Sequence, residues 1–135
     1  MLNRLYPQYK NQIAFYLIYI REAHSTSDWA STWNQRENIV LPQPVNMSER
    51  QEHARISLRK LHIEFPALLD SMNGAAEKAC SAWPSKAFLI DGRGRIVFST
   101  GLSEQDFKPA QFEAALRKAN SVTAAEAPGS PRRPQ

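Results

Sequence analysis

Residues 15–29 read FYLIYIREAHSTSDW. Six apolar residues, Phe15 to Ile20, run directly into Arg21, Glu22 and His24. A carboxylate and an imidazole two residues apart at the end of an apolar run can hold and move a proton. Histidine titrates close to neutrality, and a neighbouring carboxylate fixes its tautomer. In an extended chain the two side chains would point the same way. The plainer reading is a strand leaving the core for water. Other chemical groups are sparse. Cys80 is the sole thiol and lies between Ala79 and Ser81 in a stretch with helical character. It is expected to be a buried structural thiol rather than a relocated nucleophile. His53 and His62 stand nine residues apart, which is not the spacing of a metal pair on a helix, so no metal site is expected. Trp33 and Trp83 read as partly buried residues, either of which could line a cleft.

The elements that position these residues must fit in 135 residues, enough for one domain with a modest core. Apolar residues make up 42% and charged residues 22%, ordinary values for a globular protein. No apolar run is long enough to span a bilayer, and the N-terminus lacks the apolar segment of a signal peptide. As written, the chain is expected to be cytoplasmic. The net charge is +4, but no basic stripe is interleaved with aromatic residues, so nucleic acid is not an expected partner. One cysteine excludes an intrachain disulfide and a cysteine-rich zinc site.

Residues 2–12 read as a helix limited by Pro7. Residues 13–20 read as a strand buried on both faces. Residues 21–47, with Pro42 and Pro44, form a long polar connection. Ser48 and Gln51 have capping-box spacing for a helix over 49–63, with Ala54, Leu58, Leu61 and Phe65 as its core stripe. PALLDSM reads as a short strand and residues 73–82 as a short helix. KAFLID and RIVFST flank GRG, which predicts a hairpin with Gly92 and Gly94 free to take positive φ. Ile96 and Phe98 would share one face of it. Pro109 suits the first turn of a last helix, whose face carries Phe112, Leu116 and Ala119. Residues 1–120 form one domain, and 121–135, rich in Ala, Pro and Ser, read as a disordered tail. The order α-β-loop-α-β-α-β-β-α implies an α/β fold, a three-layer sandwich with a mixed sheet in which strands 13–20 and 86–91 are interior neighbours. This is the thioredoxin-like order with its first strand missing.

The stretch LIYIREAHSTSDW resembles the strand-and-loop motif of the iodothyronine deiodinases, in which Tyr19, Glu22, Ala23, His24 and Trp29 match in place. The later segment DSMNGAAEKACSAWPSKAFLIDGRGRIVFSTG resembles that family at Asp70, Met72, Ala75, Ala76, Pro84, Gly94, Ile96 and Gly101. The resemblance covers most of residues 1–119. It implies a thioredoxin-fold relative of selenoproteins that removes iodine reductively from an aromatic substrate, with thiols as electron donors. It implies proton delivery by Glu22 and His24, and a substrate cleft at Tyr19, Trp29, Lys86 and a cis Pro84. No cofactor is implied.

The departures are specific. The family's nucleophile, selenocysteine or cysteine, sits in a turn ahead of the first helix, and MLNRLYPQYKNQ resembles only that helix. The expectation is a chain that lacks the turn and is inactive as written. Pro44 stands where the family can carry a histidine, and Lys86 replaces an arginine after the proline. An ammonium cannot make arginine's bidentate carboxylate contact. The alternative is a redox-inactive thioredoxin-like module that binds a protein or an aromatic ligand. Its open sheet edge would offer a place for a strand from a second copy.

Overall fold

A computed structural model describes residues 2–26, 32–36, 38–101 and 108–126. The order is α1 (Leu2–Tyr9), β1 (Leu17–Tyr19), α2 (Thr32–Arg36), α3 (Met47–Lys60), β2 (Ala67–Leu69), α4 (Ala75–Cys80), β3 (Phe88–Ile90), β4 (Ile96–Ser99) and α5 (Pro109–Glu126). This is the expected α/β order, with one added short helix, α2, in the long connection.

The strands form two ladders rather than one mixed sheet. β1 runs parallel to β2, with Leu17, Ile18 and Tyr19 opposite Ala67, Leu68 and Leu69. β3 and β4 form the antiparallel hairpin. Among the described residues β1 and β3 share no ladder, so the expected neighbouring of these two strands is corrected. The run 13–20 contributes only three ladder residues and is not covered on both faces. Side chains alternate along a strand, and here Tyr16 and Ile18 face outward, 63% and 47% exposed. Leu17 and Tyr19 are half-buried on the other face.

The core joins α1 and α5 to the hairpin. Leu5, Leu89, Phe112 and Leu116 are buried together, with Leu2, Tyr9, Ile13, Phe15 and Phe98 packed around them. The expected apolar face of α5 is therefore the observed one. Tyr6 and Phe15 meet edge to face at 5.5 Å, and Phe65 closes on both rings. This aromatic trio fastens α1 to the chain entering β1 and β2. Pro7 lies inside α1 and costs it little, because the helix is only two turns long.

The hairpin turn depends on Asp91, whose carboxylate accepts the N–H groups of Arg93 and Arg95 and both arms of the Arg95 guanidinium. Gly94 takes a positive φ of 77°, and Gly92 does not. Opposite the Leu89–Ile90 step the register skips Val97, a bulge that interrupts the expected alternation of Ile96, Val97 and Phe98.

The start of α3 and the end of α5 differ from expectation for identifiable reasons. α3 begins two residues early because Asn46 is the cap. Asn46 Oδ1 accepts the Glu49 N–H at 2.9 Å, and Glu49 reaches back to the Val45 N–H at 3.0 Å. This reciprocal arrangement supersedes the Ser48–Gln51 reading. α5 continues to Glu126, into the segment expected as a tail. Alanine-rich sequence favours helix over coil once a helix has started. Residues 127–135 lie outside the described residues.

Candidate functional site

The site forms where β1 and β2 end together. Asp70 N–H donates to Tyr19 O at 2.9 Å, so the parallel strands leave the ladder side by side. The carboxyl ends of parallel strands are where open α/β folds build their sites. The chain bends at Arg21, Ala23 and His24, so Glu22 and His24 are not set side by side by an extended backbone as expected. Gln43 donates to the Glu22 carbonyl at 2.7 Å, tying the far end of the long connection to this bend.

Glu22 turns back over the strand end. Tyr19 Oη donates to Glu22 Oε1 in a short hydrogen bond. Burial, above all, raises the Glu22 carboxyl above its usual range, and this outweighs the lowering by Tyr19, His53 and Arg50. Burial likewise raises the Tyr19 phenol, and its bond to Glu22 adds to that. Tyr19 therefore keeps its proton and serves as a donor. Glu22 is a carboxyl group whose proton is held more tightly than in water.

Three residues of α3 complete this group. Arg50, His53 and Ser57 follow one another at three- and four-residue intervals and so share a face. Arg50 is 4% exposed, and its Nη1 donates to the carbonyls of Asp70 and Ser71 at 3.1 and 2.6 Å. Ser57 hydrogen-bonds the Tyr19 hydroxyl. His53 Nδ1 lies 3.7 Å from Glu22 Oε1. The structure thus sets the His53 imidazole against the carboxylate, from a helix twenty-odd residues beyond the motif. Sequence reasoning weighed His53 only as a metal ligand. The signal that could have found it is the polar trio Arg50, His53 and Ser57 on one helix face beside Ala54. That face is the buried one, while Leu61 of the expected stripe is 39% exposed.

His24 is half-buried on the bend beside fully buried Ser25. Trp29 lies outside the described residues. The Trp83–Pro84 bond is cis, as the resemblance implied. Arg21, next to Glu22 in the chain, reaches the residue before that proline: its guanidinium stacks over the Trp83 ring at 4.8 Å, while its Nε donates to Glu77 at 3.1 Å. Lys86 is half-buried and directs its ammonium to the Phe88 ring at 5.4 Å.

Asp70, matched by the resemblance, plays a structural part. Burial would push its carboxyl up, but N–H groups of Ala76, Glu77 and Ser71 hold it below the usual range. It caps α4 and so fixes Glu77, the partner of Arg21. Cys80 ends α4 and is exposed, which corrects the expectation of a buried thiol. α4 buries none of its residues, so a side chain in its last turn faces water. Among the described residues no group of three or more acidic, histidine or cysteine side chains is placed to hold a metal ion. No described helix is long and apolar enough to cross a membrane.

Comparison with known proteins gives a consistent picture. Thyroxine 5-deiodinase of Ovis aries is 25% identical over 115 residues, 85% of this chain and 38% of that protein. Thyroxine 5-deiodinase of Mus musculus is 25% identical, covering 85% of this chain and 36% of that protein. Type I iodothyronine deiodinase of Xenopus laevis is 23% identical over 116 residues, 86% of this chain and 44% of that protein. The chain spans less than half the length of these relatives. The iodothyronine deiodinase family model matches residues 1–120, which include both motifs and every residue of the site above. By that match the chain belongs to the iodothyronine deiodinase family.

Proposed function

We propose that this chain carries the proton-handling part of a deiodinase-like reductive dehalogenation site, with Glu22 as its proton donor and Tyr19 as the group that orients it. The observation that carries this reading is the Tyr19–Glu22 hydrogen bond at the end of β1, with the carboxyl raised by burial. In the reaction, a thiolate or selenolate bonds to iodine and the carbon–iodine bond breaks with its electron pair on carbon. The ring carbon takes a proton. A thiol donor then attacks the sulfur or selenium, iodide leaves, and the nucleophile ends in a disulfide or its selenium counterpart. An acid whose proton is held more tightly than in water suits the second step. On this reading His24 shares the proton delivery, and Trp29, Pro84 and Lys86 meet the iodinated aromatic substrate.

The first step needs a soft, ionised nucleophile. The sole thiol, Cys80, is at the exposed end of α4, and the groups around Glu22 are oxygen and nitrogen acids. The 135 residues therefore supply the proton and not the attack on iodine. The test is a dehalogenation assay with dithiothreitol on two forms: this chain, and a chimera carrying a family strand and cysteine turn ahead of Met1. No turnover is expected from the first. Turnover that falls on Glu22→Gln is expected from the second. Robust activity of the 135-residue form, abolished by Cys80→Ser, would overturn the reading.

A second reading, a binding module without redox activity, draws on the outward face of the β1–β2 ladder. Tyr16, Ile18 and Leu68 stand exposed there. On that reading the face or the adjoining strand edge takes a protein partner or a second copy of the chain, and a mass measurement on the purified chain detects the copy.

A further inference from the structure

We infer that His53 is the proton-exchange partner of Glu22, a positioning residue that reaches the site from α3. The inference rests on the reading of Glu22 as a proton donor, but its test does not depend on dehalogenation.

Arg50, His53 and Ser57 lie along one face of α3, and both ends of that row are fixed. Arg50 is pinned to the Asp70 and Ser71 carbonyls at the end of β2. Ser57 is bonded to the Tyr19 hydroxyl at the end of β1. The residue between them must face what lies between the strand ends, and that is Glu22. His53 is 9% exposed, and its Nδ1 is sealed from water with no hydrogen-bond partner. A sealed ring nitrogen without a partner calls for an explanation. It has one here: the atom facing it is Glu22 Oε1, 3.7 Å away. Closing that gap to hydrogen-bond length takes a movement of less than about 1 Å.

The proton balance is simple. Glu22 gives its Oε1 proton to His53 Nδ1, leaving a carboxylate beside an imidazolium with no change in net charge. Tyr19 donates to the carboxylate throughout and loses nothing. Of the ring's two nitrogens only Nδ1 is sealed without a partner. On this inference a proton spent by Glu22 is replaced through the imidazole, with Nε2 as the ring's other port. Pro44, where the family can carry a histidine, offers no such group. The charged and titratable groups facing the pair are Tyr19 from β1 and Arg50 from α3. The Asp70 carboxylate, at the end of β2, is turned to the N–H groups of α4.

The experiment is a carboxyl-carbon NMR titration of Glu22 in the 135-residue chain and in His53→Gln. The variant cannot carry the imidazolium charge. The Glu22 midpoint is expected to move to higher pH by about one unit. Coincident midpoints would overturn the inference. The native chain supplies a second measurement that needs no variant. The His53 Cε1–H resonance is expected to show an inflection at the Glu22 midpoint, because coupled groups titrate as a pair. A His53 curve blind to that midpoint would also overturn it. An inactive chimera in the dehalogenation assay would sink the proposed function and leave these titrations untouched.

Discussion

Glu22 and Tyr19 are in contact, yet their substitution should act in opposite directions. A glutamate whose folded pKa is raised above its unfolded value contributes stability fully present below the unfolded pKa. That contribution is lost as pH rises through the folded pKa. At pH 7 ionising this partly buried carboxyl costs stability. Glu22→Gln keeps an acceptor for Tyr19 and removes the charge. The variant is expected to melt at a higher temperature than the native chain at pH 7. The difference should vanish below about pH 4, where the unfolded glutamate is also protonated. Equal melting curves at both pH values would mean that Glu22 is not held in its raised state. Tyr19→Phe removes the donor and leaves Glu22 and Ser57 short of a partner, at a cost of roughly 1–3 kcal/mol in a urea titration. The sequence singled out both Tyr19 and Glu22, at the end of one apolar run, but paired Glu22 with His24 and placed Tyr19 in the substrate cleft, so their hydrogen bond emerges only from the bend of the chain after β1. It hid His53, because the helix interval that aims His53 at Glu22 has meaning only once α3 is known to lie over the strand ends.

At the scale of elements, Asp70 shows how a matched residue can serve the site from a distance. Its carboxylate accepts three N–H groups, two of them from the first turn of α4. That capping holds Glu77, and Glu77 holds Arg21 against Trp83. Asp70→Ala is expected to cost about 0.5–2 kcal/mol, read by thermal or urea melting. Because the folded pKa is lowered, this contribution is present above the unfolded value near pH 4 and is lost as pH falls through the folded one. Native and variant melting curves should therefore converge in acid, and a gap that persists there would remove the carboxylate from the explanation. The hairpin and α5 were legible because a turn signal and a helical apolar stripe each act locally. The strand at 13–20 was legible in position but not in cover. Apolar periodicity over a short run does not say how many faces of a strand will find a partner. The capping of α3 was misplaced by two residues because Asn46 and Ser48 are both good caps, and only the Asn46–Glu49 geometry decides between them.

For the whole molecule, the distribution of cover between the two ladders is the remaining consequence. The hairpin is backed by α1 and α5, and its core side chains are sealed: Leu5 is 0% and Leu116 1% exposed. Leu116→Ala is expected to cost about 2–5 kcal/mol, because a cavity between helix and hairpin cannot easily close. The β1–β2 ladder is packed against α3 on one side, while Ile18 and its register partner Leu68 stand 47% and 52% exposed on the other. Truncating a side chain that is half in water removes little buried area, so Ile18→Ala should cost no more than about 1 kcal/mol. Both values come from urea melts of the 135-residue chain. A cost for Ile18→Ala as large as that for Leu116→Ala would mean that the ladder face is covered in solution. The same melt repeated over a hundredfold range of protein concentration then identifies the cover. A midpoint that rises with concentration assigns it to a second copy of the chain, since association stabilises the folded form by mass action.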